Sequence, residues 1–74
     1  MKIDKAIKQA MREGKGIRRK TGIPARGILI PTNTPAGILM VPFKKTEPIL
    51  WGWIPDVNDL VAKDWFVHNQ SAKG

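Results

Sequence analysis

Seventy-four residues with 13 Lys or Arg against 6 Asp or Glu, a net charge of +7, describe one small domain, and a chain this short buries only roughly 60% of the surface its unfolded form exposes. The absence of cysteine excludes disulfides and thiolate metal sites. A single histidine with few clustered carboxylates argues against a structural metal, which leaves oligomerisation as the ordinary source of extra burial. The longest apolar stretch, AGILMVPF at 36–43, is far short of a membrane span, and MKIDKAIKQ carries charges where a secretory signal needs a hydrophobic run, so a cytoplasmic protein with no membrane partner is expected.

The charge is uneven. Residues 1–26 carry nine Lys or Arg against Asp4 and Glu13, whereas residues 27–74 carry four of each sign. That asymmetry favours polyanions, phosphorylated small molecules or acidic proteins as partners, with a merely solvated surface as the plain competitor.

In chain order, IDKAIKQAMREGKG places Ile3, Ala6, Ile7, Ala10 and Met11 at helical spacings, with Lys5, Lys8, Gln9 and Arg12 opposite. Asp4 is positioned to accept backbone hydrogens near the first turn, and Gly14 or Gly16 to end the helix in a left-handed conformation. The basic run Arg18 to Lys20 reads as a short extended piece leading into the loop at Gly22 and Pro24 before Arg26. In a strand, Arg18 and Lys20 point to one side and Arg19 to the other, so only one side serves a common site. GILI at 27–30 and GILMVPF at 37–43, joined by PTNTPA, form an antiparallel hairpin. Both strands are apolar on both faces, the one substantial helix covers a single face, and the second face is expected to be buried against another copy. Pro42 suits an edge position or a bulge.

After the polar turn KKTEP, ILWGW reads as the next strand, with Trp51 and Trp53 on the same face around Gly52. Pro55 and Asp56 start a second, short helix with Asp59 at its third position, Asp64 to Val67 form a final strand, and HNQSAKG is a polar tail. The whole is an α+β fold: a small antiparallel sheet with an N-terminal amphipathic helix and a short second helix, oligomeric, in a single domain over 1–68 with a flexible tail at 69–74.

EGKG at the helix end, the basic IRRK and then WIPDVNDLVAKDW stand in the order found in the small phage proteins of the Thoeris anti-defence family, which this chain resembles over roughly residues 3–67. The most specific elements are Trp53, Pro55, Asp59, Leu60, Ala62, Asp64 and Trp65. The resemblance implies an α+β multimer, dimer or tetramer, with ligand pockets at subunit interfaces, sequestering cyclised ADP-ribose signals or cyclic dinucleotides without degrading them. At KTGIPARG the sequence departs from the family pattern, since Gly22 or Ile23 stands where a pocket tryptophan is common. Either Trp51 supplies the missing stacking surface or this relative binds a different ligand or none.

The candidate ligand-binding residues are accordingly Arg18, Arg19, Trp51, Trp53, Asn58 and Asp59. An indole face stacks on adenine, a guanidinium matches phosphate oxygens, and a carboxylate or amide pairs with ribose hydroxyls or a base edge. Each has a structural competitor: tryptophans as core, Asp56 and Asp59 as helix caps, charges as solvated surface. Trp65, followed by Phe66 and Val67, reads as core, and His68, alone at the start of the tail, as solvated. Asp56 and Asp59 at a helical gap of three are too commonplace to indicate a metal-dependent hydrolase, and no other acid-base arrangement is present, so neither a catalytic role nor a cofactor is expected. Rival functions are a small basic nucleic-acid-binding domain and a structural or protein-interaction module. The acidic residues around the tryptophans favour a compact anion with sugars over a long phosphate backbone.

Overall fold

The computed structural model describes residues 1–22, 24 and 27–71. Helix α1 (Ile3–Glu13) is followed by strands β1 (Lys15–Arg19), β2 (Gly27–Pro31) and β3 (Ile38–Pro42), a short helix α2 (Val57–Val61) and strand β4 (Trp65–Ser71). The strands form one antiparallel sheet in the order β3-β2-β1-β4. The chain is thus an α+β fold with the two helices and the antiparallel sheet that its periodicities dictate.

One row of side chains crosses all four strands. Val67 pairs with Ile17, Ile17 with Leu29, and Leu29 with Met40. These residues, with Trp65, take the apolar side of α1, where Ile3, Ala6 and Ala10 are buried and Ile7 packs alongside. Two alanines at the contact allow a close approach of helix to sheet, which suits a chain with little volume to enclose. Met11, expected on this side, is exposed, because the helical turn places it at the margin of the stripe, beyond the half-buried Ile7. Gly14 (φ 67°) ends α1 in the left-handed conformation and donates its amide to Ala10, whereas Gly16 is a buried residue of β1. The helix start has no side-chain cap. Asp4 sits inside the first turn, while the backbone beside it is tied down by the Trp65 amide donating to the Met1 carbonyl at 3.0 Å.

By the alternation of strands, Arg18, Ile28, Ile30, Leu39, Val41 and Phe66 belong to the opposite face. Neither helix lies there: α1 packs on β1, β2 and β4, and on α2, from the core side. Gly16 lets this face close up, since a β-carbon there would stand 2.8 Å from Ile28 Cδ1 and 2.9 Å from Ile30 Cδ1.

Two expected elements are corrected. ILWGW is not a strand: Leu50 makes an isolated bridge with Met40, Gly52 turns through φ 65°, and the Trp53 amide then donates to Ile38 at 2.8 Å. The segment runs along the outer edge of β3 as a broken border, so Trp51 and Trp53 do not share a face. The left-handed kink that only glycine adopts freely destroys the period of two. Strand β4 continues to Ser71, beyond the expected end at Val67, because Gly16 and Lys15 of β1 still offer pairing partners to His68 and Ser71 across a bulge. Of the segment expected as a tail, residues 72–74 lie outside the described residues.

Gly27 faces Pro42 where β2 and β3 meet, and a β-carbon there would fall inside the Val41 carbonyl and 2.8 Å from Pro42 Cα. The obstruction is backbone and cannot rotate away. Gly27→Ala is therefore expected to lower stability by about 1–3 kcal/mol, read as a shift of the urea midpoint at unchanged slope, whereas a wild-type midpoint would show that the hairpin separates without cost.

Candidate functional site

Strand β1 sends its two arginines to opposite faces. Arg19 shares the core side with Ile17 and is enclosed by carboxylates, with Nε donating to Asp64 Oδ1 at 2.9 Å and Nη1 to Asp59 Oδ1 at 3.0 Å. Asp59 is only 6% exposed. It also closes the start of α2: its amide donates to Asp56 Oδ1 at 2.8 Å, and its own Oδ2 accepts from the Asp56 amide at 3.1 Å, a reciprocal capping box. The Asp59 carbonyl accepts from Trp65 Nε1 at 2.8 Å. Asp59 thus joins β1, α2 and the indole at the head of β4. Asn58, its neighbour, is exposed in the first turn of α2.

The three tryptophans occupy three environments. Trp65 is fully buried, as its sequence context indicates, and Trp53 is half-buried with its ring edge-on to Trp65, centroids 6.4 Å apart. Trp51 is 72% exposed on the broken border of β3, in an apolar stretch that also leaves Ile49, Leu50 and Ile54 in the open. From that border to β1 is three strand spacings, about 14 Å at roughly 4.8 Å each. The candidate residues therefore divide into a packed group (Arg19, Asp59, Trp53), two exposed members (Trp51 on the border of β3 and Asn58 on α2), and Arg18 by itself on the sheet face without a helix. Gly22 takes φ 91°, and Ile23 lies outside the described residues.

Arg18 has surroundings that sequence reasoning missed. Its Nη2 donates to the Pro24 carbonyl at 3.1 Å and its guanidinium carbon stands 5.1 Å from the centroid of the Phe43 ring. His68 has its ring centroid 6.0 Å from that of Phe43 and 6.2 Å from that of Phe66. Burial, and secondly the charge of Arg18, hold the His68 imidazole below its ordinary value of 6.5. His68 is thus a strand residue on a sheet face and not part of a solvated tail. The shared parity of Phe66 and His68, facing that of Arg18, was the available signal. Nothing in the sequence indicates that Phe43 folds over the sheet.

Among the described residues no group of three or more His, Asp or Glu is arranged to hold a metal, and no helix is long and apolar enough to cross a membrane. The hydrogen bond from Arg19 is the main cause holding the Asp64 carboxyl below its ordinary value of 3.8. A carboxylate depressed by folding contributes stability that is complete above the unfolded value and lost as pH falls through the folded one. Wild-type stability should therefore decline between about pH 4 and pH 2 more steeply than that of Asp64→Asn, which is weaker at neutral pH and flatter in acid. Urea midpoints across that range provide the check, and parallel acid limbs would contradict it.

No curated protein and no solved structure matches the chain at a significant level. The model of one family does, the Tad2-like or Thoeris anti-defense 2-like domain, over residues 1–68. That span runs from α1 through the Arg19–Asp59–Asp64 cluster to His68 in β4 and takes in every candidate residue. The chain belongs to the Thoeris anti-defense 2-like family.

Proposed function

We propose that this anti-defence protein binds a cyclic nucleotide-derived immune signal of the cyclic ADP-ribose type and sequesters it unchanged in the host-cell cytoplasm. The family match over residues 1–68 carries this reading. The geometry supports it with the two kinds of group a compact phosphorylated ligand needs. Trp51 offers an open indole face, and Arg18, unlike Arg19, has no carboxylate within 4 Å among the described residues. Arg19 and Asp59 are already satisfied by one another and act on the ligand by holding α2, and with it Asn58, in place. Trp53 presents whatever part of its ring Trp65 leaves uncovered.

Trp51 and Arg18 lie about 14 Å apart across the sheet by strand spacing, so a ligand using both is expected to sit between copies. A homo-oligomer, dimer or tetramer, would cover the sheet face that carries no helix and the exposed apolar stretch from Ile49 to Val61. Sedimentation should find this assembly at micromolar concentration, and a stable folded monomer would remove that part of the reading.

Calorimetry against cyclic ADP-ribose isomers and cyclic dinucleotides should identify a ligand that is recovered intact when the protein is denatured. Trp51→Ala should reduce its affinity roughly tenfold to a hundredfold, the loss of one stacking surface, with the fold of each protomer retained because the indole is mostly exposed within the chain. Binding of a short DNA or RNA duplex while every cyclic signal fails would replace this reading with nucleic-acid recognition.

A further inference from the structure

Much of the chain's excess positive charge gathers on one side of α1. Lys2, Lys5, Lys8 and Arg12 recur at intervals of three and four residues, which sets them in a row about 15 Å long. The row lies on the side of the helix away from the buried Ile3, Ala6 and Ala10, and all four cations are exposed. None of the four has a carboxylate within 4 Å among the described residues; the flanking Glu13 is taken by Lys15 at 3.6 Å, and Asp59 and Asp64 by Arg19. Two shallow hollows follow the row. One, of about 370 Å³, lies between Met1, Lys2, Asp4, Lys5 and Lys63, and the other, of about 380 Å³, between Met1, Lys5, Lys8, Gln9 and Arg12. Lys63, from the turn between α2 and β4, thus adds a fifth cation, and Asp4 is the one acid in either lining.

The row is an unfavourable way to build a helix. Cations three and four residues apart repel one another, and Lys2 and Lys5 stand at the N-terminal end, where the helix dipole disfavours positive charge and no side chain caps the backbone. Asp4 is the only acidic residue in that first turn. An anion laid along the row reverses both penalties. Ala6 and Ala10, fully buried against the sheet, hold the helix in place, so the spacing of the cations is set before a partner arrives.

We propose that this face of α1 is a docking surface for the phosphodiester backbone of duplex nucleic acid, contacted without reading its sequence. The phosphates of one strand recur every 3.4 Å of duplex axis, so a fixed row of about 15 Å meets about four of them. The row and its hollows carry no aromatic ring on which the bases of a single strand would stack. The large apolar side chains α1 and its start leave exposed are Met1 and Met11, too few for insertion into a membrane surface. Asp56 and Asp59, the acids that disfavour a long phosphate backbone beside the tryptophans, are held in the cap of α2 and line neither hollow. The surface shares no residue with the proposed signal site, so it is a second activity and not a version of the first.

Fluorescence anisotropy of a short labelled DNA duplex, with an RNA duplex of the same sequence in parallel, reads the contact directly. Between about 50 and 200 mM salt the logarithm of the binding constant should fall against that of salt with a slope of about −3 to −4, and Kd at the lower salt should be on the order of 10 µM. The combined variant Lys5→Gln, Lys8→Gln, Arg12→Gln should make the slope shallower by about 2 to 3 and weaken binding roughly tenfold or more. Its thermal midpoint should be retained, because these side chains are exposed and glutamine is a comparable helix former. Lys20→Gln, Lys44→Gln, Lys45→Gln removes the same charge from exposed lysines outside α1 and should leave the slope within about one of wild type. Binding of either duplex with this difference between the two variants sustains the proposal. Equal losses in the two variants, or no duplex bound by the wild type at the lower salt, overturn it. So does displacement of the duplex by poly-glutamate more readily than by unlabelled duplex at equal charge, which would assign the face to an acidic protein. The α1 variant should bind a cyclic signal as the wild type does: duplex binding without any bound signal leaves this surface standing alone, and signal binding without a duplex leaves sequestration without it.

Discussion

The fold depends on keeping one cation, Arg19, at the border of the core. Arg19 follows Ile17 on the helix face of the sheet, half-buried beside the core row, and Trp65 brings a polar indole N–H into full burial. Asp59 resolves both problems, with its carbonyl taking the indole proton and its carboxylate taking Arg19. Asp64 holds the remaining side of the guanidinium. Because both carboxylates face the same cation and Asp59 is also held in a capping box, no charge here is buried unpaired, the condition under which a partly buried ion pair stabilises. Replacing the Asp59 side chain would release one side of Arg19 and half of the α2 capping box together, while the backbone carbonyl would still accept from Trp65.

This explains how much of the architecture was legible in the sequence. The α1 stripe, the Asp56 and Asp59 cap, the β2–β3 hairpin and the opposite facing of Arg18 and Arg19 are local patterns, fixed by spacings of two, three and four residues. What escaped is non-local or depends on a single dihedral. Arg19 meets Asp64 across 45 residues, and no spacing rule encodes that distance. The border formed by Leu50 to Trp53 has the composition of a strand, yet Gly52 at φ 65° interrupts it. Periodicity treats glycine as a neutral position, and here it decides that Trp51 is outside and Trp53 half-buried. At the site, residue types were legible and groupings were not, since Phe43, Phe66 and His68 join Arg18 only through cross-strand register and a ring lying over the sheet.

The two faces of the sheet follow different rules as a result. The helix face is closed within the chain, with its polar atoms paired by Asp59 and Asp64. On the other face Ile28 is buried while Phe43 remains in part exposed, and Arg18 there has no carboxylate within 4 Å among the described residues.

The Lys15–Arg19 strand also carries a hidden ambiguity. With arginines at consecutive positions, a slip of β1 by one residue would set Arg18 between Asp59 and Asp64 almost as well as Arg19, so electrostatics alone does not discriminate the two pairings. Ile17 discriminates. The same slip would move it out of the Val67–Ile17–Leu29–Met40 row and carry Gly16 into its place, leaving a void costing at least about 2–5 kcal/mol. A single isoleucine thus acts as the proofreader of strand alignment, and the doublet beside it is free to divide its labour, one arginine for the frame and one for the outside.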